Sequence, residues 1–469
     1  MSPASSSAND GDLSLAVNCG SSSIKIQLFD SKRRVLLKGS ADNVQGDQPA
    51  SYSFKYSPPS ASSSSSSAAD SPTLSEAHER KLEDSASYEA IFREILKDLV
   101  DEEVLGKDGK DRIRIVAHRI VHGGTADTPV LIRHGKKEEK EVLDKMEEVS
   151  AFAPLHNHHA MLIVRECLEH LPSATSILCF DTLFHRTIPH YRRVYAIAEP
   201  SHPTPVPLVK YGFHGLSYGN IVRQMAEELG KKVEETNIVV AHLGSGGSCC
   251  LIQEGESRQT TMGVTPLEGL PGGTRSGTVD PSLIFHVVED SGEMVEWSGR
   301  QISKGEYILN KDSGFKAMCG TNNFGTITSR AFPSSSSPDD VPQTDERMSA
   351  RLAYTHYLDR LLSYLTPYIS TIFSSSQPLD ALVFSGGIGE KSSKLRADVL
   401  NHFRWVEELA AGGGKGRGGV DEGRNAKPQA GRARITKEGS KIPAYVVETS
   451  EEEEMVRIAW EEMEKEGRA

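Results

Sequence analysis

The sequence predicts an α/β fold, and three observations carry that prediction. Short apolar runs at 13–17, 24–29, 113–117, 176–180, 238–242 and 381–384 have the length and composition of strands. Segments with helical periodicity lie between them, the alternation expected of layered α/β proteins. The clearest is 351–365, where Leu358, Leu361, Leu362 and Leu365 recur at spacings of three and four on one face. Finally, three strands run directly into turns of small residues: Val17 into NCGSSS, Val240 into AHLGSGGS and Val383 into FSGGIGE. With 469 residues, at about 100–200 residues per domain, the chain has room for two to four domains.

Composition excludes several classes. The chain has 53 Lys and Arg against 65 Asp and Glu, a net charge of −12. It therefore has no general pull on nucleic acid or an anionic membrane, and an anionic ligand must be held by local cations. The six cysteines, Cys19, Cys167, Cys179, Cys249, Cys250 and Cys319, show no C-x-x-C spacing and read as reduced thiols. No run approaches membrane-spanning length, and the opening MSPASSSANDGD carries no apolar signal core. A cytoplasmic protein without membrane or nucleic-acid partners is the expectation.

Three segments interrupt the pattern. Residues 57–74, SPPSASSSSSSAADSPTL, hold too few apolar side chains to offset the entropy of ordering and read as a disordered insertion. Residues 333–345 and the Gly-rich, cationic stretch 411–434 read as flexible insertions. The latter has no aromatic residue for base stacking, so a solvated loop is preferred to a nucleic-acid arm. Pro367 is expected to end or kink the helix before it.

A strand that ends in small residues leaves backbone N–H groups at a tight turn, open to phosphate oxygens. Three such turns far apart in the chain indicate a nucleotide held by two halves of the molecule. The first distinguishes among nucleotide folds. Asn18-Cys19-Gly20-Ser21-Ser22-Ser23-Ile24-Lys25 contains no G-K-[ST], and Ile24, Ile26 and Leu28 then alternate with Lys25 and Gln27, which is strand periodicity. Walker and G-x-G-x-x-G turns open helices, so both are disfavoured. A strand, turn and strand in this order resembles the opening of the actin, Hsp70 and sugar-kinase superfamily.

The resemblance then narrows. The blocks NCGSSSIK, HRIVHGG, APLHN, FDTLFHRTIP, KYGFHG, AHLGSGGS, MGVTPLEGLPGGTRSG, FSGGIGE and TSEE occur in this order from Asn18 to Glu452, and together they resemble the acetate kinase family. That resemblance implies two actin-like domains of mixed sheet flanked by helices, with the active site in the interdomain cleft. The N-terminal domain would span 1–185 and regain a C-terminal helix at 455–469; the nucleotide-binding domain would span 186–454. The implied activity is reversible, Mg2+-dependent transfer of a phosphoryl group between ATP and acetate, giving acetyl phosphate and ADP by direct in-line displacement, with Mn2+ as the alternative metal. A homodimer is also implied.

Phosphoryl transfer to a carboxylate brings two anions together, so cations must sit at the junction. Arg119 in HRIVHGG and Arg275 in GGTRSG offer guanidinium forks for carboxylate and phosphoryl oxygens. Arg275 stands among glycines, on backbone open to close approach. The resemblance assigns both to the site, with His214 as a donor to the moving phosphoryl group and Asp181 orienting Arg119 and organising the magnesium–nucleotide site. It places Asn18 and Glu451 at the metal; Glu452 stays open as the alternative, because the four glutamates 451–454 otherwise look like a solvated helix face. Arg119, Val121, Leu155, His156, Phe213 and Pro266 match the acceptor site, a small apolar pocket beside the cations. Ser21, Ser23, Lys25, His242, Gly244, Ser245, Gly246, Asn323, Phe324, Gly386, Gly387, Ile388 and Gly389 match the nucleotide and phosphate positions. A zinc reading of His156, His158 and His159 lacks a remaining ligand set.

The chain departs from the family's bacterial and archaeal pattern at two places. Ser245 stands where H-L-G-N-G has asparagine, and Thr321-Asn322-Asn323-Phe324-Gly325 replaces an S-N-D-F-R run, removing an acid and an arginine near the nucleotide. Gly386, Gly387 and Gly389 leave room for adenosine, which favours ATP over pyrophosphate as donor. These substitutions and the Ser-rich insertions resemble the fungal branch, which implies a phosphoketolase as the pathway partner supplying acetyl phosphate. The rivals are a pyrophosphate-linked acetate kinase, a propionate or butyrate kinase, and a non-catalytic ATP-binding protein of the same superfamily. An added methylene changes binding by only about 1–3 kcal/mol, so propionate is expected to be accepted. Deleting residues 60–67 is expected to leave both the thermal midpoint and the turnover number unchanged, since a solvated tract makes few contacts; a large loss in either measurement contradicts the reading.

Overall fold

The computed structural model describes residues 11–20, 23–44, 49–57, 73–82, 87–105, 109–152, 157–297, 300–333, 344–375, 377–410 and 418–467. Ser21, Leu155, His156 and most of the insertions at 57–74 and 333–345 lie outside these residues. The chain falls into two compact units: Met1–Leu183 with Ser201–Pro207 and Ser450–Ala469, and Phe184–Pro200 with Leu208–Thr449.

The first unit is built on eight strands: β1 (Leu13–Cys19), β2 (Ser23–Phe29), β3 (Val35–Asp42), β4 (Ser51–Tyr56), β5 (Glu76–Lys81), β6 (Ile113–Ile120), β7 (Val130–Arg133) and β8 (Thr175–Phe180). They pair in the order β5-β4-β3-β2-β1-β6-β8-β7. β1 is antiparallel to β2 and parallel to β6, which is parallel to β8. β1 is buried along its whole length, as the near-continuous apolar run of a strand covered on both faces requires. β2 instead alternates, with Ile24, Ile26 and Leu28 buried and Lys25 exposed.

β5, EAHERK, has no strand signature of its own. It forms by pairing with β4, where His78 stacks on Phe54 with ring centroids 4.9 Å apart, and its charges blunt the sheet edge. The helix Glu451–Lys465 packs on β1, β6 and β8 and buries Met455, Val456, Ala459 and Met463. It starts at Glu451, ahead of the expected 455. Ser450 caps it by accepting from the Glu453 N–H, and the helix N-terminus favours carboxylates. The glutamate run is not a solvated face: Glu452 and Glu454 are buried, and Glu454 pairs with Arg457 at 2.8 Å.

The second unit repeats the pattern. β9 (Ile238–Leu243), β10 (Gly247–Gln253), β11 (Glu256–Thr260), β14 (Ala381–Ser385), β15 (Arg432–Arg434) and β16 (Ala444–Val447) pair in the order β11-β10-β9-β14-β16-β15. A separate hairpin joins β12 (Met294–Trp297) to β13 (Arg300–Ser303). Alternation along β9 serves two cores. Val239, Ala241 and Leu243 pack with Tyr354, Tyr357 and Leu361 of the helix Asp345–Ser374, while Ile238 and Val240 pack with Tyr218, Ile221 and Met225 of the helix Gly215–Leu229.

Two expectations need correcting. Pro367 does not end its helix, which continues to Ser374 and buries Tyr368, Ile369 and Ile372 beyond the proline. A proline inside a helix costs about 3 kcal/mol, and burying three large apolar side chains at roughly 1.5–3 kcal/mol each outweighs it. The stretch 411–434 is not a solvated loop throughout: from 418 onward it carries the helix Glu422–Ala426 and β15. Its anchor is Arg396, only 1% exposed, which donates to Asn425 Oδ1 at 2.8 Å and to the carbonyls of Asn425, Gly389 and Glu390 at 2.5, 2.8 and 2.7 Å. Arg396→Ala is expected to destabilise the fold by about 2–4 kcal/mol in denaturant titration, because four buried acceptors lose their donor. Arg424→Ala, a half-exposed arginine on the same short helix, is expected to cost less than about 0.5 kcal/mol.

Candidate active site

In the first unit, Arg119 at the end of β6 meets Asp181, which follows β8. The guanidinium grips the carboxylate with two bonds, Nε to Oδ1 at 3.1 Å and an Nη to Oδ2 at 2.8 Å. Asp181 is fully buried, and its N–H donates to the Ile120 carbonyl at 3.1 Å, so the acid is fixed by backbone. The other Nη reaches Asn18 Oδ1 at 3.2 Å and Glu451 Oε2 at 2.8 Å. Burial works against the charge on Arg119, but Asp181 and Glu451, with Glu452 behind them, outweigh it and hold the group above its ordinary value. It remains a cation at any working pH.

Asn18 closes the cluster by donating to Glu451 Oε2 at 2.8 Å and Glu452 Oε1 at 2.9 Å. Thus four of the sequence-derived residues, Asn18, Arg119, Asp181 and Glu451, interlock, and Glu452 joins them. One guanidinium among the carboxylates of Asp181, Glu451 and Glu452 leaves a formal surplus of two negative charges. The donors are hard oxygens, which suit Mg2+ rather than zinc. Among the described residues no group of three or more His, Cys, Asp or Glu is arranged to hold a metal. Asn18, Glu451 and Glu452 are the residues here that could lend oxygens to Mg2+, which completes its shell with phosphates and water when it binds nucleotides.

The first glycine turn is held from outside its motif. Gly20 N–H donates to the Ser23 carbonyl at 2.8 Å, and Tyr88 Oη donates to the Gly20 carbonyl at 2.9 Å. A Cβ on Gly20 would lie 2.8 Å from Ser23 Oγ. Lys25 is exposed on β2 opposite Asn18. Val121 is buried, and the backbone of the next residue, His122, is clamped by Asn157, which accepts from its N–H at 2.9 Å and donates to its carbonyl at 2.8 Å.

In the second unit, the β9–β10 turn supplies Gly244, Ser245 and Gly246. A Cβ on Gly246 would lie 3.0 Å from an Nη of Arg275, so the bare backbone of the turn is what that guanidinium approaches closely. The Arg275 loop is laced in place, with Gly273 N–H donating to the Ser245 carbonyl at 3.0 Å and Phe315 N–H to the Gly272 carbonyl at 2.9 Å. His214 and His242 meet edge to face with centroids 4.9 Å apart. Phe213 is buried and Pro266 half-buried, and the Phe213 carbonyl accepts from His185 Nε2 at 2.9 Å. Burial pushes His185 down to about 4, so it serves as a neutral strut.

A cleft of about 700 Å³ opens beside this turn, lined by Gly244, Ser245, Asn323, Phe324, Gly387 and Ile388, all expected at the nucleotide. Lys391, Ser392 and Lys394 also line it and were not foreseen. Gly386 and Gly389 shape it from behind. Gly386 has φ of 75° and its Cβ would lie 2.7 Å from the Leu243 carbonyl, while Gly389 packs on Phe384. Asn323 caps the helix Phe324–Ala331 by accepting from the Thr326 N–H at 2.9 Å.

The sequence profile of the Acetokinase family matches residues 13–457. The chain belongs to the acetokinase family. A probable acetate kinase of Cryptococcus neoformans var. neoformans serotype D (strain B-3501A) is 42% identical over 453 residues, covering 96% of this chain and 97% of that one. A probable acetate kinase of Neurospora crassa is 40% identical over 416 residues, covering 84% and 81%. Among solved structures, a propionate kinase from Francisella tularensis superposes with a TM-score of 0.73 at 28% identity, covering 96% of this chain and 99% of that one. Porphyromonas gingivalis acetate kinase gives 0.72 at 26%, with coverages of 96% and 99%. The two mixed sheets flanked by helices are therefore the two actin-like domains of an acetokinase.

Two residues beside the candidate site escaped the sequence reading. Gln27 donates to Glu452 Oε2 at 3.4 Å, and its only signal was its place beside Lys25 on the polar face of β2. Lys311 lies over the Trp297 ring at 4.3 Å. Burial, then the neighbouring Arg275 and Lys316, push its ammonium down to about 8. Between about pH 8 and 10.5 the unfolded chain holds this proton and the folded chain does not, so folding stability rises with pH through that window. Thermal unfolding of Lys311→Met is expected to lose that rise; an unchanged pH slope contradicts the assignment.

Proposed function

We propose that this acetokinase is a reversible, magnesium-dependent ATP:acetate phosphotransferase acting by direct in-line transfer. In the forward direction a carboxylate oxygen of acetate attacks the γ-phosphorus, the bond from that phosphorus to the β–γ bridging oxygen breaks, and ADP leaves with the electron pair. The arrangement that carries this reading is the approach of Arg275 to the 244–246 turn, the same turn that lines the nucleotide cleft. A cation there meets the terminal phosphate of a nucleotide seated in that cleft. Arg119, locked by Asp181, supplies a second guanidinium whose charge cannot be titrated away, for the acceptor carboxylate and the transferring group. His214 donates a hydrogen bond to the phosphoryl oxygens as charge develops.

Asn18 and Glu451, with Glu452 beside them, would hold magnesium, which when bound neutralises the phosphate oxygens of the nucleotide. The family resemblance assigns Val121, Leu155, Phe213 and Pro266 to the methyl group of the acceptor and His156 to the same ligand. ATP is preferred to pyrophosphate because Gly387 faces open space in a cleft large enough for a nucleoside. The exposed Leu283, Phe285 and Val287 support a homodimer, since grouped apolar side chains at a surface mark association sites. No helix among the described residues is long and apolar enough to cross a membrane. A cytoplasmic location, with acetyl phosphate supplied by a phosphoketolase, completes the reading.

The test is a hydroxamate assay of the purified protein with magnesium, ATP or pyrophosphate, and a series of short carboxylates. Acetate with ATP is expected to give the highest kcat/KM, with propionate measurable. Acetyl phosphate consumed only with orthophosphate would instead favour the pyrophosphate-linked rival. Arg119→Ala and Arg275→Ala are each expected to keep the far-ultraviolet circular dichroism and lose roughly two to three decades of turnover; near-normal kinetics in either rejects its role.

A further inference from the structure

His214 stands in a conformation its neighbours must enforce. It caps the helix Gly215–Leu229 with φ of 61° and ψ of 23° and without a side-chain capping bond, whereas helix caps are ordinarily extended. A strained, non-glycine backbone of this kind points to a function for the residue. The helix places Tyr218 one turn further on, its N–H donating to the His214 carbonyl at 3.0 Å. Ser248 on β10 completes the group: its Oγ lies 2.8 Å from His214 Nδ1 and 2.5 Å from Tyr218 Oη. Tyr218 and Ser248 are both fully buried.

Hydrogen counting selects one arrangement. If Tyr218 donates to Ser248 and Ser248 donates to Nδ1, both hydroxyl hydrogens have acceptors and Nδ1 has its donor. If instead Nδ1 carries a hydrogen and gives it to Ser248, one hydroxyl hydrogen of the buried pair has no acceptor within this group of three side chains. That penalty corresponds to a bias on the order of ten- to hundredfold. The phenol cannot escape by ionising, because burial raises its pKa far above the ordinary value.

We propose that Tyr218 and Ser248 are positioning residues that fix the tautomer of His214, so that Nε2 carries the hydrogen donated to the transferring phosphoryl group. Neither touches the reacting atoms in this assignment. They act by keeping Nδ1 an acceptor, so the donor at Nε2 is in place before substrate arrives and no tautomer exchange interrupts the transfer. The packing of Tyr218 supports this, since its ring is held edge-on by His185 at 5.5 Å and stacked by Phe184 at 6.2 Å. The proposal rests on the reading of His214 as a phosphoryl donor.

The test reads the tautomer itself. Full-length protein labelled with 15N-histidine is measured unliganded at about pH 8, where an ordinary imidazole is neutral, by two-bond 1H–15N correlation. The His214 ring is identified by its absence from His214→Gln. The expected spectrum shows Nε2 protonated and Nδ1 bare. Tyr218→Phe and Ser248→Ala are expected to mix the tautomers and lower kcat roughly three- to thirtyfold, with both KM values changed less than about twofold. Ser248→Thr, which keeps the hydroxyl, is expected to restore a single tautomer. A hydrogen on Nδ1 in the unmodified chain overturns the proposal, as does a Tyr218→Phe protein with unaltered tautomer and kcat. Absence of acetate-dependent turnover in the unmodified chain would sink the functional reading instead, and the spectrum distinguishes that failure because it needs no turnover.

Discussion

The pairing of Arg119 with Asp181 is the constraint on which the proposed chemistry depends. A buried carboxylate without a cation is very costly, and a buried ion pair replaced by apolar groups is often no less stable. Such a pair is therefore weak evidence for stability and better evidence for orientation. Here the acid is anchored twice, by its backbone on Ile120 and by both oxygens on the guanidinium. One edge of the arginine is used up in being held, and the remaining Nη is aimed at Asn18 and Glu451. The cation's direction is set by strand ends rather than by a mobile side chain.

Each unit solves one half of an electrostatic problem. The first concentrates carboxylates around a single arginine and so carries a local negative surplus, which the proposed magnesium would offset. The second gathers Arg275, Lys311 and Lys316 near a glycine turn, where burial first and then the two neighbouring cations depress the Lys311 ammonium. Backbone and small residues let charge approach in both. Gly246 admits the Arg275 guanidinium, and Gly386 adopts a left-handed conformation against the Leu243 carbonyl that a side chain would obstruct. An acidic chain can thus handle anionic reactants, since its net charge says nothing about the field at a turn a few ångströms across.

The six strands expected from apolar runs are all present, because each carries a local apolar run or alternation. β3, β4, β5 and β7 were not legible; β5 in particular is a charged segment that becomes a strand only because β4 offers it an edge and Phe54 offers His78 a ring. The same limit applied to polar groups. Four consecutive glutamates look solvated in sequence, yet helix phase turns Glu452 and Glu454 inward. Gly-rich, cationic composition at 411–434 concealed Asn425, whose partner Arg396 lies 29 residues away. Within the site, turns and arginines were legible because motifs are local. Gln27, Tyr88 and Tyr218 were not, because each acts on a motif residue through a hydrogen bond that only the fold creates; Asn157 and Ser248 close two of the motif blocks, yet their partners His122 and His214 are likewise supplied only by the fold.

The central claim is that the acceptor, held as a carboxylate anion by guanidinium groups, attacks phosphorus through one of its own oxygens. Acetyl phosphate made from ATP and acetate labelled with 18O in both carboxylate oxygens tests it most directly, read by the isotope shift of its 31P resonance. The account predicts one 18O bonded to phosphorus in every product molecule. A product whose phosphorus carries no label would contradict it.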